Sequence, residues 1–168
     1  TTGARVPTTV KLPQLKRLKD QARTVDEVRR KLHELGGPTS TTEFQLVIST
    51  FAKLRDWREC AQLIEDMQRQ KLGSDHAMAV CYSQAISACD KAKQWKEAVK
   101  LLEGMAGNGC TPNEFHYSSA IAACAKSGQS DVAMRLFDAA CQSGVKPNEV
   151  VYNTVLSACS RYVHAQAA

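Results

Sequence analysis

At 168 residues, with 43% hydrophobic and 6% aromatic content, the chain has enough length and apolar surface to bury one continuous core, which excludes the disordered and fibrous classes. No apolar run approaches the roughly 20 residues that cross a bilayer, and the opening TTGARVPTTVKLPQLKRLKD lacks the apolar centre of a secretory signal. The net charge of +5 belongs entirely to residues 1–35, which carry nine Lys/Arg against four acids, while the remainder balances thirteen against thirteen.

Residues 1–11 read as an extended basic segment and residues 12–40 as an N-terminal helical pair. Their cations Lys11, Lys16, Arg17, Lys19, Arg23, Arg29 and Arg30 are candidates for contact with a polyanion, with a solvated helix face as the alternative. From residue 41 the chain repeats itself. Phe44, Ile48-Ser49, Trp57 and Met67 return 38 residues later as Tyr82, Ile86-Ser87, Trp95 and Met105. Tyr82, Ala88 and Cys89 then return at an offset of 35 as Tyr117, Ala123 and Cys124, and again as Tyr152, Ala158 and Cys159. The units are 41–78, which is degenerate, 79–113 and 114–148, which are intact, and 149–168, which holds a first helix only. The three extra residues of the first unit fall near KLGSDHAM, whose Gly73, Ser74 and Asp75 predict a longer inter-repeat loop.

Each unit carries two apolar stripes at helical spacing. Tyr82, Ala85, Ile86 and Cys89 form a first helix, as do Tyr117, Ala120, Ile121 and Cys124. Cys60, Leu63, Ile64 and Met67 form a second helix, matched by Ala98, Leu101, Leu102 and Met105 and by Ala133, Leu136, Phe137 and Ala140. Gly128 marks a turn between helices, and Gly109 and Gly144, followed by Pro112 and Pro147, stop second helices. A single helix pair cannot bury its stripe, so neighbouring pairs must stack into a solenoid.

The 35-residue period, the aromatic in the first helix and the closing Gly-x-x-Pro-Asn of GVKPN resemble the pentatricopeptide repeat family. The tetratricopeptide period of 34 and its Trp-Leu-Gly-Tyr signature are not matched. The resemblance implies an all-α fold, a right-handed α-solenoid of antiparallel helix pairs. It also implies single-stranded RNA as partner, each repeat reading one base through the residue after the first-helix Tyr and the last residue of the repeat. Carried onto this chain, the readers are Ser83 with Asn113 and Ser118 with Asn148, both similar to the family's adenine-preferring pair, and Asn153 in the last unit. Val80, Phe115 and Val150, two residues before each Tyr, would clamp the base faces, with Phe115 able to stack. Gln45 and Met78 of the degenerate unit match no code pair. The family further implies a chloroplast or mitochondrial location after removal of a targeting peptide, and work in RNA processing, stability or translation.

Other readings of the same residues stand beside these. Ser83 and Ser118 are also ordinary polar residues near helix N-termini, and Asn113 and Asn148 are also helix N-caps. Cys89, Cys124 and Cys159 recur because a small apolar side chain fits between stacked first helices, and Trp57 and Trp95 read as packing anchors. No metal, cofactor or small-molecule substrate is expected: there is no C-x-x-C, no Gly-rich phosphate loop, no H-E-x-x-H and no nucleophile elbow, so the chain reads as a non-enzyme. The stripe Tyr152, Val155, Leu156 and Cys159 of the last helix would lack a partner on one side, which makes a protein partner docking there the second expectation: a solenoid subunit or assembly factor of an organellar complex with little RNA affinity.

Overall fold

The apolar stripes at three- and four-residue spacing fold as helices because only a helix lines them up on one face. In the computed structural model the described backbone spans residues 8–166 and the described side chains 10–157, and every element among them is helical. The order is α1 (Thr8–Gln21), α2 (Val25–Leu35), α3 (Thr41–Lys53), α4 (Trp57–Arg69), α5 (Asp75–Lys91), α6 (Trp95–Gly107), α7 (Glu114–Lys126), α8 (Ser130–Gln142) and α9 (Glu149–Gln166). The odd-numbered helices stack on one another, and α4, α6 and α8 each pack against the first helix of their own unit and that of the next. The result is a two-layer α-solenoid.

Each hairpin turn within a unit is built the same way. Arg55, Lys93 and Gly128, which occupy equivalent positions, all take a left-handed backbone (φ 61°, 57° and 74°). The next N–H then reaches back to a first-helix carbonyl: Asp56 to Phe51 at 3.0 Å, Gln94 to Cys89 at 2.9 Å and Gln129 to Cys124 at 2.9 Å. This closes the helix end with two backbone bonds. Only the third unit uses the residue that adopts this conformation without strain.

Between first helices the contacts are small. Ala85, Ala88, Cys89, Ala120, Ala123 and Cys124 are all fully buried, which lets the backbones approach, while Phe44, Phe51, Ile48, Ile86 and Ile121 fill the space toward the second layer. Trp57 and Trp95 open their helices half-buried against this core. The cysteines behave as small hydrophobes: burial pushes the thiols of Cys81 and Cys89 up to about 12 and that of Cys124 to about 11, and raises Cys60 further, so all four stay protonated and inert at neutral pH. The Cys159 side chain lies outside the described residues.

Three expectations are corrected. The extra residues of the degenerate unit do not lengthen a loop. Helix α5 has 17 residues where α7 has 13, because Ser74 caps it by accepting from the Ala77 N–H at 3.4 Å and Asp75 follows in its first turn. The Gly-Ser-Asp run that reads as a loop is a helix-start signal. The 78/79 boundary therefore falls inside a helix, and Met78 is a buried core residue. At the other end, α1 begins at Thr8, so residues 8–11 are helical rather than extended; residues 1–7 lie outside the described part. Pro13 suits the opening turn of a helix, which makes 12 the natural start in sequence, but burial of Lys11, Leu15, Leu18 and Ala22 carries the helix one turn further.

Candidate nucleic-acid interface

The exposed face of the first-helix layer carries the residues that the repeat register singles out. In the first intact unit they converge. Val80 and Ser83 of α5, Asn113 at the end of the unit and Phe115 of the next helix line one small recess, together with His76, Ala79 and His116. Phe115 is 72% exposed, an unusual state for a phenylalanine and the one that stacking on a flat partner requires.

The polar pair in this recess has fixed roles. Asn113 is the N-cap of α7: its Oδ1 accepts from the N–H groups of Phe115 at 3.0 Å and His116 at 3.4 Å. Its acceptor is thereby used, and the Nδ2 amide remains to donate, an orientation assigned from these bonds. Ser83 Oγ donates to the Val80 carbonyl at 2.9 Å, which leaves its lone pairs to accept. Capping and base contact are thus compatible uses of one side chain. The recess offers one donor and one acceptor, the complement of a base edge with an amino group beside a ring nitrogen, as adenine has.

The second intact unit is arranged differently. Asn148 also caps, accepting at Oδ1 from the Val151 N–H at 3.0 Å, and Val150 is exposed. The Ser118 hydroxyl, however, is covered and has no hydrogen-bond partner, so it does not present itself to a base in this arrangement. Asn153 is exposed and shares a shallow recess with Val150, Thr154, Ser157, Ala125 and Lys126.

The basic candidates separate into buried, paired and free. Lys11 is 1% exposed, its stem packed in the core and its Nζ donating to the Gly37 carbonyl at 3.1 Å, so it is withdrawn from any polyanion. Arg29 is exposed but surrounded by Glu59 at 2.7 Å, Asp26 at 3.6 Å and Asp56 at 3.7 Å; the hydrogen bond and charge of Glu59 raise its already high pKa, and its charge is compensated. Lys16 and Arg17 on α1, Arg23 in the connection that follows, and Arg30 on α2 are exposed. Lys19 lines a groove on the first-helix face with Lys53, Lys91, Ser49, Ser83, Ser87 and Gln84.

Two of these lysines belong to a row that net charge does not show. Lys53, Lys91 and Lys126 stand at one repeat position, 38 and 35 residues apart, in the last turns of α3, α5 and α7, and Lys19 ends α1 in the same way. A cation at a helix C-terminus is favoured by the dipole, which explains it locally; its repetition along one face makes a row. Lys126 is held by both oxygens of Asp90 at 2.8 Å, and Lys53 donates to the Lys19 carbonyl at 3.2 Å. The acids Glu59, Glu65, Asp66, Glu97, Glu103, Asp131 and Asp138 lie on the second helices.

Comparisons with known proteins bear on the family and the fold. Family models match over residues 44–72 (PPR repeat), 62–127 (pentatricopeptide repeat domain) and 115–161 (PPR repeat family). No curated protein matches the chain. Among solved structures, the PPR domain of Arabidopsis thaliana protein-only RNase P 1, in complex with tRNA, is similar at 14% identity and a TM-score of 0.74, over 96% of this chain and 84% of that one. The maize protein PPR10, in complex with an 18-nt psaJ RNA element, is similar at 20% identity and a TM-score of 0.68 over 99% of this chain, which spans a quarter of the length of PPR10. Matching models from Phe44 to Arg161, a period of 35 and this stacking of helix pairs lead to one conclusion: the chain belongs to the pentatricopeptide repeat family.

Proposed function

We propose that the chain is a binding scaffold for single-stranded RNA, without catalytic chemistry of its own, working in RNA processing, stability or translation in a chloroplast or mitochondrion. The observation that carries this reading is the recess of the first intact repeat, where an exposed phenyl ring, a free amide donor and a hydroxyl acceptor meet beside a row of lysines. Both solved relatives named above were captured with RNA, which supports the same partner class.

Fluorescence anisotropy with A-rich and U-rich single strands at low salt tests it. Asn113→Asp keeps the capping acceptor but replaces the amide donor with a carboxylate, and Ser83→Ala removes the acceptor. Two hydrogen bonds of roughly 0.5–1.5 kcal/mol each predict that the double variant loses about tenfold or more in A-over-U preference with its fold intact. An unchanged preference sinks base reading at this repeat. A second reading, a protein-docking solenoid with little RNA affinity, is favoured by the exposed Tyr152 and Leu156 on α9. It predicts no measurable RNA affinity even at low salt, together with a protein partner whose capture is lost in Leu156→Lys.

A further inference from the structure

His116 is the third residue of α7 and is 1% exposed, directly behind the base-facing recess. Both of its ring nitrogens are committed. Nδ1 stands 3.1 Å from the backbone nitrogen of Asn113, and Nε2 stands 2.9 Å from the Ala79 carbonyl oxygen. A backbone N–H only donates and a carbonyl only accepts, so Nδ1 must be bare and Nε2 must carry the proton. One neutral tautomer satisfies the site. A second proton on Nδ1 would face the Asn113 N–H donor to donor.

The residue so held is Asn113, whose side chain closes the same capping box and presents its amide to the recess. His116 also ties α7 to the start of the preceding unit through Ala79, so it fixes Asn113 relative to Ser83 on α5. At the equivalent positions stand Glu43, Cys81 and Val151. Glu43 likewise reaches back, its Oε2 accepting from the Thr39 N–H at 2.8 Å, whereas Val151 leaves the Asn148 cap without such a brace.

We propose that His116 is the positioning residue for base recognition in this repeat, and that its protonation releases Asn113, making recognition there sensitive to acid. The proposal rests on the RNA reading above. Burial lowers the His116 pKa below its ordinary value near 6.5, and the bond to Ala79 opposes that only in part. With the folded value depressed, the unfolded or opened junction binds more protons, so the junction is firm above about pH 6.5 and weakens as the pH falls from there toward the depressed folded value. Among the described residues, the other titratable side chain lining the recess is His76 of α5; no carboxylate or cation lines it, and α6, α8 and α9 contribute no residue to it. On its own helix the nearest charge is Glu114. His76 is replaced by Gln in a control.

The test uses the full chain at pH 7.5 and 5.5, with amide hydrogen exchange corrected for intrinsic rates and with A-rich and U-rich single strands as probes. Protection of the Asn113 and Phe115 N–H groups should fall about tenfold on acidification, as expected for a lost cap, while that of the Val151 N–H stays constant. The A-over-U preference should fall in the same direction, also in His76→Gln. In His116→Gln, where the amide oxygen still accepts from the cap but does not titrate, both should be independent of pH. Constant Asn113 protection while His116 titrates, or an equal acid loss of preference in His116→Gln, overturns the proposal. Lost protection with no RNA affinity at either pH overturns the RNA reading, and the positioning role with it, but keeps the acid-sensitive junction. Should His116→Gln fail to fold, the wild-type contrast between Asn113 and Val151 decides.

Discussion

Replacing Phe115 with alanine separates a binding role from a packing role. At 72% exposure, little over a quarter of its surface touches protein. That is on the order of 50 Å², an upper estimate of about 1.3 kcal/mol of burial. Alanine returns roughly 0.5 kcal/mol through its helix propensity. The variant should therefore unfold in urea within about 1 kcal/mol of the parent. Stacking on single strands is worth roughly 1–3 kcal/mol per base, so RNA affinity should fall about 5- to 150-fold in anisotropy at low salt. Phe51→Ala supplies the contrast, since that ring is fully buried and its loss costs about 3–5 kcal/mol of stability. If Phe115→Ala keeps both its stability and its RNA affinity, the exposed ring has no stacking function and the recess does not hold a base.

Two further outcomes follow from the lysine row and the hairpin turns. Lys91→Ala should flatten the dependence of log affinity on log salt by about 0.7, one single-strand phosphate contact, without changing the A-over-U preference, as read from anisotropy across a salt series. Lys93→Gly relieves a left-handed residue that costs about 1 kcal/mol and should raise the urea midpoint, although the freer unfolded chain offsets part of the gain; Gly128→Ala at the equivalent turn should lower it.

The helices and their stacking were legible because a stripe repeated at a fixed offset leaves few alternatives: Ala85, Ala120, Cys89 and Cys124 can recur only if the same contact recurs. The start of α5 was not, because Gly73-Ser74-Asp75 has the composition of a loop and of a helix cap alike, and only packing of Met78 and Ala77 decides between them. For the site, sequence register identified Val80, Ser83, Asn113 and Phe115, which do share a recess. It could not foresee that the Ser118 hydroxyl is covered, that Lys11 is buried, or that Arg29 is neutralised by acids 3 to 30 residues away, since these depend on rotamers and on long-range contacts. His116 was missed for another reason: a histidine before a tyrosine has no signature until both of its nitrogens are seen to have partners.

Counting charge along the chain gave neutral repeats, and neutrality argues against attraction for a polyanion. Counting it by face gives a different answer. The offsets of 38 and 35 that return each Ala and Cys to the helix interface also return Lys53, Lys91 and Lys126 to the outer face of the first-helix layer, while most acids of these units ride on the second helices. The two layers are separated by about 8–10 Å, close to the screening length of physiological salt. A phosphate approaching the first-helix face therefore feels Lys19, Lys53 and Lys91 at contact distance and the second-helix acids through a full screening length, whereas Lys126 is already paired with Asp90 on α5. Attraction then depends on how many lysines a strand can touch at once, which grows with the number of stacked repeats and not with net charge. The salt slope lost in Lys91→Ala measures this directly: a slope unchanged by that substitution would mean that the row is only a set of helix-end cations.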